Sequence, residues 1–422
     1  MEMLSLYILK RKIGEKMTIP ITKPYFDGNE YNYIKETLNS GWVAQGKMTE
    51  KFEKEVAEHE GIKYAVAVSS CTTALHLALL VSGIGSGMDV LIPAFTFVAT
   101  ANAVCYTGAA PILVDIDIDT FNISIQEIEK TIGEKYVWDN QKNCLINKIS
   151  NNVLKAILPV HQFGLCADMK KLNQIAKKYR LTIIEDAACA LGAKIGEKHQ
   201  GQFGNISCVS FHPRKCITTG EGGMVFTDEE RIYKALKALR SHGATVSEVK
   251  RHNSKYGFLL PDYTELGYNY RLSDIQSALG CAQIEKLDYI LSMRREAADN
   301  YRRIMKKYDW LIMPYEPKEY CHTYQSFVCR LNIKNISLEE QSGSRNQILN
   351  FLENEGVQTR QGTHAIHLLG YYKQKYRFSA EDFPNAYKAD LLSMSLPLYV
   401  GITEEEQMNI ARLLEKAFDG LY

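Results

Sequence analysis

The segment Ser210-Phe211-His212-Pro213-Arg214-Lys215-Cys216-Ile217-Thr218-Thr219-Gly220-Glu221-Gly222-Gly223 sets one lysine past the end of an apolar run and just before a turn rich in Thr and Gly. A lysine held where a buried strand ends is poorly solvated, so its pKa is expected to fall and free a neutral amine as a nucleophile. The small residues after it leave room for a flat cofactor close to the backbone. The chemistry implied is imine formation, set against the ordinary alternative of a solvated surface charge. A second group, Ile183-Ile184-Glu185-Asp186-Ala187-Ala188-Cys189, ends an apolar run with two acids. Buried there, they are costly unless paired. A helix N-cap would account for one of them. Alternatively, a carboxylate could pair with a protonated ring nitrogen and strengthen a cofactor's electron sink. No His or further carboxylate stands at metal-ligand spacing, so no metal is expected.

Two more strand ends carry useful residues. Ser69-Ser70-Cys71-Thr72-Thr73 runs straight into a helical pattern. It reads either as an N-cap or as a helix N-terminus whose free N–H groups receive a phosphate. Phe97, in Pro93-Ala94-Phe95-Thr96-Phe97, is either core or a stacking platform. Together, a phosphate cup, an aromatic, a buried Asp and a lysine are the parts that pyridoxal phosphate (PLP) chemistry needs.

These groups must be positioned by a sheet, since open α/β sheets present functional groups at the carboxyl ends of their strands. Strands are expected at Tyr64-Val68, Asp89-Pro93, Pro111-Asp115, Lys155-Val160, Leu181-Glu185, Ser207-Phe211 and Met224-Thr227. Amphipathic segments such as Thr72-Val81, Met169-Arg180 and Glu229-Arg240 alternate with them. That alternation predicts an α/β fold, a mainly parallel seven-stranded sheet covered by helices. The division expected is an extension at 1–17, a large domain at 18–272, a linking helix at 273–309 and a smaller α+β domain at 310–422. The polar stretch Glu134-Asn152 lacks periodicity and is expected to be an insertion or long loop.

Composition sets outer limits. The 422 residues are 45% apolar and 23% charged with a net charge of +1. There is no basic block to suggest nucleic acid and no apolar run of membrane-spanning length. The ten cysteines include no Cys-x-x-Cys pair. A reduced, cytoplasmic protein without a cysteine zinc site or disulfide framework is the expectation. Met17 is a candidate start.

Longer motifs carry a resemblance. Ser40-Gly41-Trp42-Val43-Ala44-Gln45-Gly46, Val68 to Leu75, Pro159-Val160-His161-Gln162-Phe163-Gly164, Glu185 to Ala188, the Lys215 segment, Gly267-Tyr268-Asn269-Tyr270-Arg271-Leu272 and Ser395-Leu396-Pro397-Leu398-Tyr399 are similar to the DegT/StrS sugar aminotransferase family. The likeness runs from Ile19 to about Gln407. It implies the fold type I (aspartate aminotransferase-like) architecture of PLP enzymes and transfer of an amino group, with glutamate as donor, to a nucleotide-linked keto sugar. By the same resemblance, Lys215 carries the internal aldimine and shuttles protons, and Asp186 pairs with the pyridine nitrogen. Phe97 stacks on the ring, and Thr72, Thr73 and Ser210 hold the phosphate. Asn269 reaches the cofactor phosphate of a partner subunit, which implies a homodimer with shared sites. Two positions depart from the family pattern. Cys189 stands where Gln or His often contacts the cofactor's phenolic oxygen, and Cys71 stands where Gly is common. The alternatives are a PLP-dependent sugar dehydratase, whose members carry His in place of the lysine, and a regulatory protein that has lost the site. Lys215 and Asp186 are both present.

Overall fold

Seven apolar runs become strands of one sheet, which has nine strands among the described residues, within a computed structural model that describes residues 18–245 and 262–421. The extension expected at 1–17, with Met17, lies outside the described residues. Side by side, the strands are Tyr64–Val68, Gly223–Thr227, Ile206–Ser210, Thr182–Asp186, Val153–Ile157, Met88–Pro93 and Ala110–Val114. From Ile206–Ser210 to Ala110–Val114 every pairing is parallel, whereas Gly223–Thr227 runs against both its neighbours. Because successive side chains alternate between faces, each strand feeds two cores. Ala65 and Ala67 join Phe52 and Phe211 on one face, while Val66 and Val68 join Leu75 and Leu77 on the other. Such strands read as continuous apolar runs because both faces are covered.

The stretch expected to be a loop at 134–152 differs. It forms a hairpin of Tyr136–Asp139 and Cys144–Asn147, and its second strand pairs with Val153–Ile157. Asp89 anchors it by accepting hydrogen bonds from Tyr136 Oη, Asn147 Nδ2 and Asn152 Nδ2, each at 2.8 Å. Two four-residue strands are too short to show a period.

The helical stretch after Ser273 is two helices, Asp274–Ile284 and Leu287–Met305, separated at Glu285 and Lys286. The second bridges two cores. Leu287, Ile290 and Leu291 pack under the large sheet, and Ala298, Tyr301 and Met305 pack into a C-terminal core with Phe327, Ile348 and Leu414. A three-stranded antiparallel sheet of Leu311–Ile312, Phe327–Leu331 and Ser393–Leu396 backs that core. Core membership cuts across the sequence order. Ile19 lies in the C-terminal core, while Ala365, Ile366 and Ala386 pack against the large sheet. No helix among the described residues is long and apolar enough to cross a membrane.

Candidate active site

Asp186 ends the Thr182–Asp186 strand, and Lys215 follows the adjacent parallel strand Ile206–Ser210, with Cys208 opposite Asp186. Parallel neighbours bring their carboxyl ends to one edge, so two distant segments meet there. The two acids at that strand end separate because consecutive side chains point to opposite faces. Glu185 is fully buried; its carboxylate accepts from His161 Nε2 at 2.8 Å and from the N–H groups of Gly201 and Gly204. His161 Nδ1 accepts from the Ala167 N–H, which fixes the tautomer that donates to Glu185. Glu185 is therefore a satisfied structural acid. Asp186 accepts from Thr100 Oγ1 at 2.8 Å and from the Ala188 N–H at 3.1 Å. Burial pushes its carboxyl above the ordinary range, while the Thr100 and Ala188 hydrogen bonds and the Lys215 charge pull it back in part. Thr100, in the helix Val98–Tyr106, carries no signal in the sequence beyond lying one turn after Phe97.

The electrostatics of Lys215 correct the expectation of a lowered pKa. Burial does push its ammonium down, but the Cys189 sulfur, Cys71 and Asp186 push it up further, and the net direction is upward. Its Nζ donates to Cys189 Sγ at 3.1 Å. A buried amine falls only when its surroundings are apolar or cationic, and these are electron-rich.

The Ser69–Thr73 turn starts the helix Cys71–Val81, and the N-cap reading of it holds. Ser70 Oγ accepts from the Thr73 N–H, and Thr73 Oγ1 accepts from the Ser70 N–H in a capping box. The Thr73 hydroxyl is thus engaged within the cap. The N–H groups of Cys71 and Thr72, the first two of the helix, have no intrahelical acceptor and point out of its N-terminus. Ser210 stands close by. Its strand pairs it with Gly223, and a Cβ at Gly223 would lie only 2.4–2.6 Å from the Ser70 and Cys71 backbone. Ser210 Oγ accepts from the His212 N–H at 3.3 Å. Phe97 immediately precedes the helix that supplies Thr100, and at 63% exposure it is not core.

The C-terminal part closes the site from one side. Thr323 Oγ1 donates to the Cys189 carbonyl, and Gln325 Nε2 donates to the Arg214 carbonyl at 2.7 Å. Buried Arg294 fixes this segment through the carbonyls of Tyr324 and Gln325. The segment rides on Gly164 (φ +105°), where a Cβ would collide with Thr323 Oγ1; the preceding Phe163 is itself left-handed at φ +56°. Sequence reasoning did not find Arg294, Thr323 or Gln325. Asn269 is exposed, and its side chain makes no hydrogen bond among the described residues. Further along the chain, His367 is buried against Phe383, whereas His364 is exposed. An amine beside a buried carboxylate, an exposed ring and a helix N-terminus with free N–H groups is a donor set that fits pyridoxal phosphate.

The model of the DegT/DnrJ/EryC1/StrS aminotransferase family matches residues 24–415. The chain is 34% identical over 402 residues to GDP-perosamine synthase of Escherichia coli O157:H7, covering 95% of this chain and 98% of that one. Among solved structures it resembles Helicobacter pylori PseC, an aminotransferase of pseudoaminic acid biosynthesis. The TM-score is 0.83 at 27% identity, over 96% of this chain and 100% of that one. It also resembles the sugar aminotransferase Spr1654 of Streptococcus pneumoniae in its PMP form, with a TM-score of 0.83 at 25% identity, over 96% and 98% of the two chains.

Proposed function

Because this chain belongs to the DegT/DnrJ/EryC1/StrS aminotransferase family, we propose that it moves the amino group of glutamate to the ketone of a nucleotide-linked sugar. It is a PLP-dependent aminotransferase. Bound PLP supplies the electron sink that acidifies the donor's α-C–H and holds the nitrogen between the half-reactions. The Lys215 amine takes the donor's α-proton and returns a proton to the acceptor carbon, so one base serves both halves of a ping-pong cycle. The Asp186 carboxylate, held by Thr100, keeps a ring nitrogen protonated. The Phe97 face orients the ring. The Thr72 N–H and the Thr73 and Ser210 segments receive the phosphate, and Cys189 holds the Lys215 amine in place.

The observation that carries this reading is the meeting of Lys215, Cys189 and Asp186 at adjacent strand ends. A cleft of about 460 Å³, open to solvent, adjoins Lys215 through Arg214 and is lined also by Arg360, Gln325 and Ser395. Among the described residues, neither Arg214 nor Arg360 forms an ion pair, and partial burial together with Arg360 holds Arg214 below its ordinary pKa. Two unpaired guanidinium groups suit an acidic donor and a sugar diphosphate, which share the need for anion recognition. The product would be a nucleotide-linked amino sugar for polysaccharide synthesis in the cytoplasm. We place Asn269, exposed and with an amide that makes no hydrogen bond among the described residues, against the cofactor phosphate of a second copy in a homodimer.

The test is to incubate the purified protein with glutamate and a panel of nucleotide-linked keto sugars and to weigh the products. Gain of an amine by one sugar, with release of 2-oxoglutarate, is the expected result. No amination of any sugar, together with a cofactor that glutamate leaves unchanged, would overturn the proposal. Borohydride should fix the cofactor to the parent protein and not to Lys215→Ala, whose turnover should fall by about 10²–10⁴-fold or more.

A further inference from the structure

Behind the loop that carries Cys189, the fold gathers two histidines and a glutamate from distant segments. Glu60 is the last residue of the helix Lys47–Glu60, His59 precedes it, and His199 lies in the short strand Lys198–His199. One oxygen of Glu60, Oε1, is their common focus. His59 Nδ1 lies 2.8 Å from it and His199 Nδ1 lies 3.5 Å from it, and all three ligand atoms are within 4.8 Å of one another. The Glu60 side chain is fully buried, and the two imidazoles are 17% and 14% exposed. We propose that His59, Glu60 and His199 form a site for a divalent transition metal of the zinc class.

Several independent features point that way. Bonds of about 2.0–2.1 Å to a tetrahedral zinc place neighbouring ligand atoms about 3.3 Å apart, and the two separations to Oε1 straddle that value. The Nδ1 atom of His199 is buried and has no hydrogen-bond partner among the described residues, although it faces the carboxylate. A buried imidazole nitrogen without a partner is costly in a purely structural cluster and expected in a ligand. The other nitrogen of His59, Nε2, lies 3.2 Å from Asp288 Oδ1. A carboxylate on the far nitrogen is the outer-shell arrangement that orients a ligating histidine. The carboxylate of Glu60 is itself held, with Gln200 Nε2 donating to Oε2 at 2.7 Å and the Gly192 N–H to Oε1 at 3.1 Å. Two imidazoles and one carboxylate favour zinc over magnesium or calcium, which require oxygen ligands. A bound metal would tie the end of the Lys47–Glu60 helix to the Gly192–His199 segment, and so brace the loop behind Lys215.

The test uses the full-length holoenzyme, stripped with a chelator and titrated with Zn²⁺ against a chromophoric competitor. One equivalent should bind and raise the thermal midpoint, while Mg²⁺ should not. His199→Gln should weaken binding by about a hundredfold and Asp288→Asn by about tenfold, with transamination retained. His59→Gln serves as a second ligand variant if His199→Gln fails to fold. Replacing Zn²⁺ with Co²⁺ should give visible d–d bands without the thiolate charge-transfer band that the free cysteines would produce. Equal zinc affinity in the parent and the ligand variants, sulfur coordination, or no binding would each overturn the proposal and leave an ion-pair cluster around a buried glutamate.

Discussion

Cys189 decides more about Lys215 than the strand end does. The lysine's position past a buried strand end is legible in the sequence; the direction of its pKa is not, because the sulfur and carboxylate that raise it arrive from another segment. This has a kinetic consequence. A base works above its pKa, so in Cys189→Ser, which removes one of the groups holding the proton on, the acid limb of the pH profile for kcat should move to lower pH. An unmoved limb would mean that Cys189 does not set the charge on Lys215. The pair Glu185 and Asp186 makes the same point. Two adjacent acids are visible in the sequence, but which of them is tied up by His161 and which lies beside Thr100 and Lys215 comes from the pleat.

At the level of elements, the strand runs and the helices following them are read well because each is locally consistent. Apolar residues mark the buried strands, and Ser70, Ser273 and Thr403 begin capping boxes. The helix Lys47–Glu60 is different, since its N-cap is Gly46, with no side chain to cap it. Asp274, far along the chain, takes that place. It accepts from the N–H groups of Gly46, Met48 and Thr49 and from Thr49 Oγ1 at 2.7–3.1 Å. Asp274→Ala would leave these buried donors without an acceptor and should cost about 2–3 kcal/mol in urea unfolding. Asp274→Asn, which keeps one acceptor oxygen, should cost less. The Tyr136–Asn147 hairpin escaped a local reading for a similar reason, since Asp89 from the adjoining strand region holds its ends.

Across the whole molecule, the C-terminal part supplies groups that the large sheet alone lacks. His322, next to Thr323, is buried against Tyr324, and its Nδ1 accepts the Tyr324 N–H. Burial and the nearby charges of Arg302, Arg295 and Arg294 push it down to about 3. Unfolded, it titrates near 6.5, so below that pH only the unfolded chain binds this proton. Its contribution to stability is therefore complete above about 6.5 and declines as pH falls toward 3, by up to about 1.4 kcal/mol per pH unit. His322→Asn keeps an acceptor without titrating, and stability should fall less steeply between about pH 6 and pH 4. The proposed homodimer has its own measurement. Mixing inactive Lys215→Ala and Asn269→Ala chains should restore about a quarter of parental activity, because half of the random pairs are hybrids with one intact site of two. No recovery would refute the shared site.

By itself, the sequence determined what depends on neighbours along the chain. It set the seven apolar strands, the amphipathic helices between them and the lysine, acid, aromatic and small-residue turns at the strand ends. Tertiary structure alone decided what depends on approach through space. It chose which acid faces the amine, which groups push that amine's pKa upward, and which C-terminal groups close the cleft. It also brought His59, Glu60 and His199 around one oxygen. The physical reason is range. Period and capping act over a few residues, whereas pKa, pairing and coordination depend on groups within a few ångströms that the chain order does not place together.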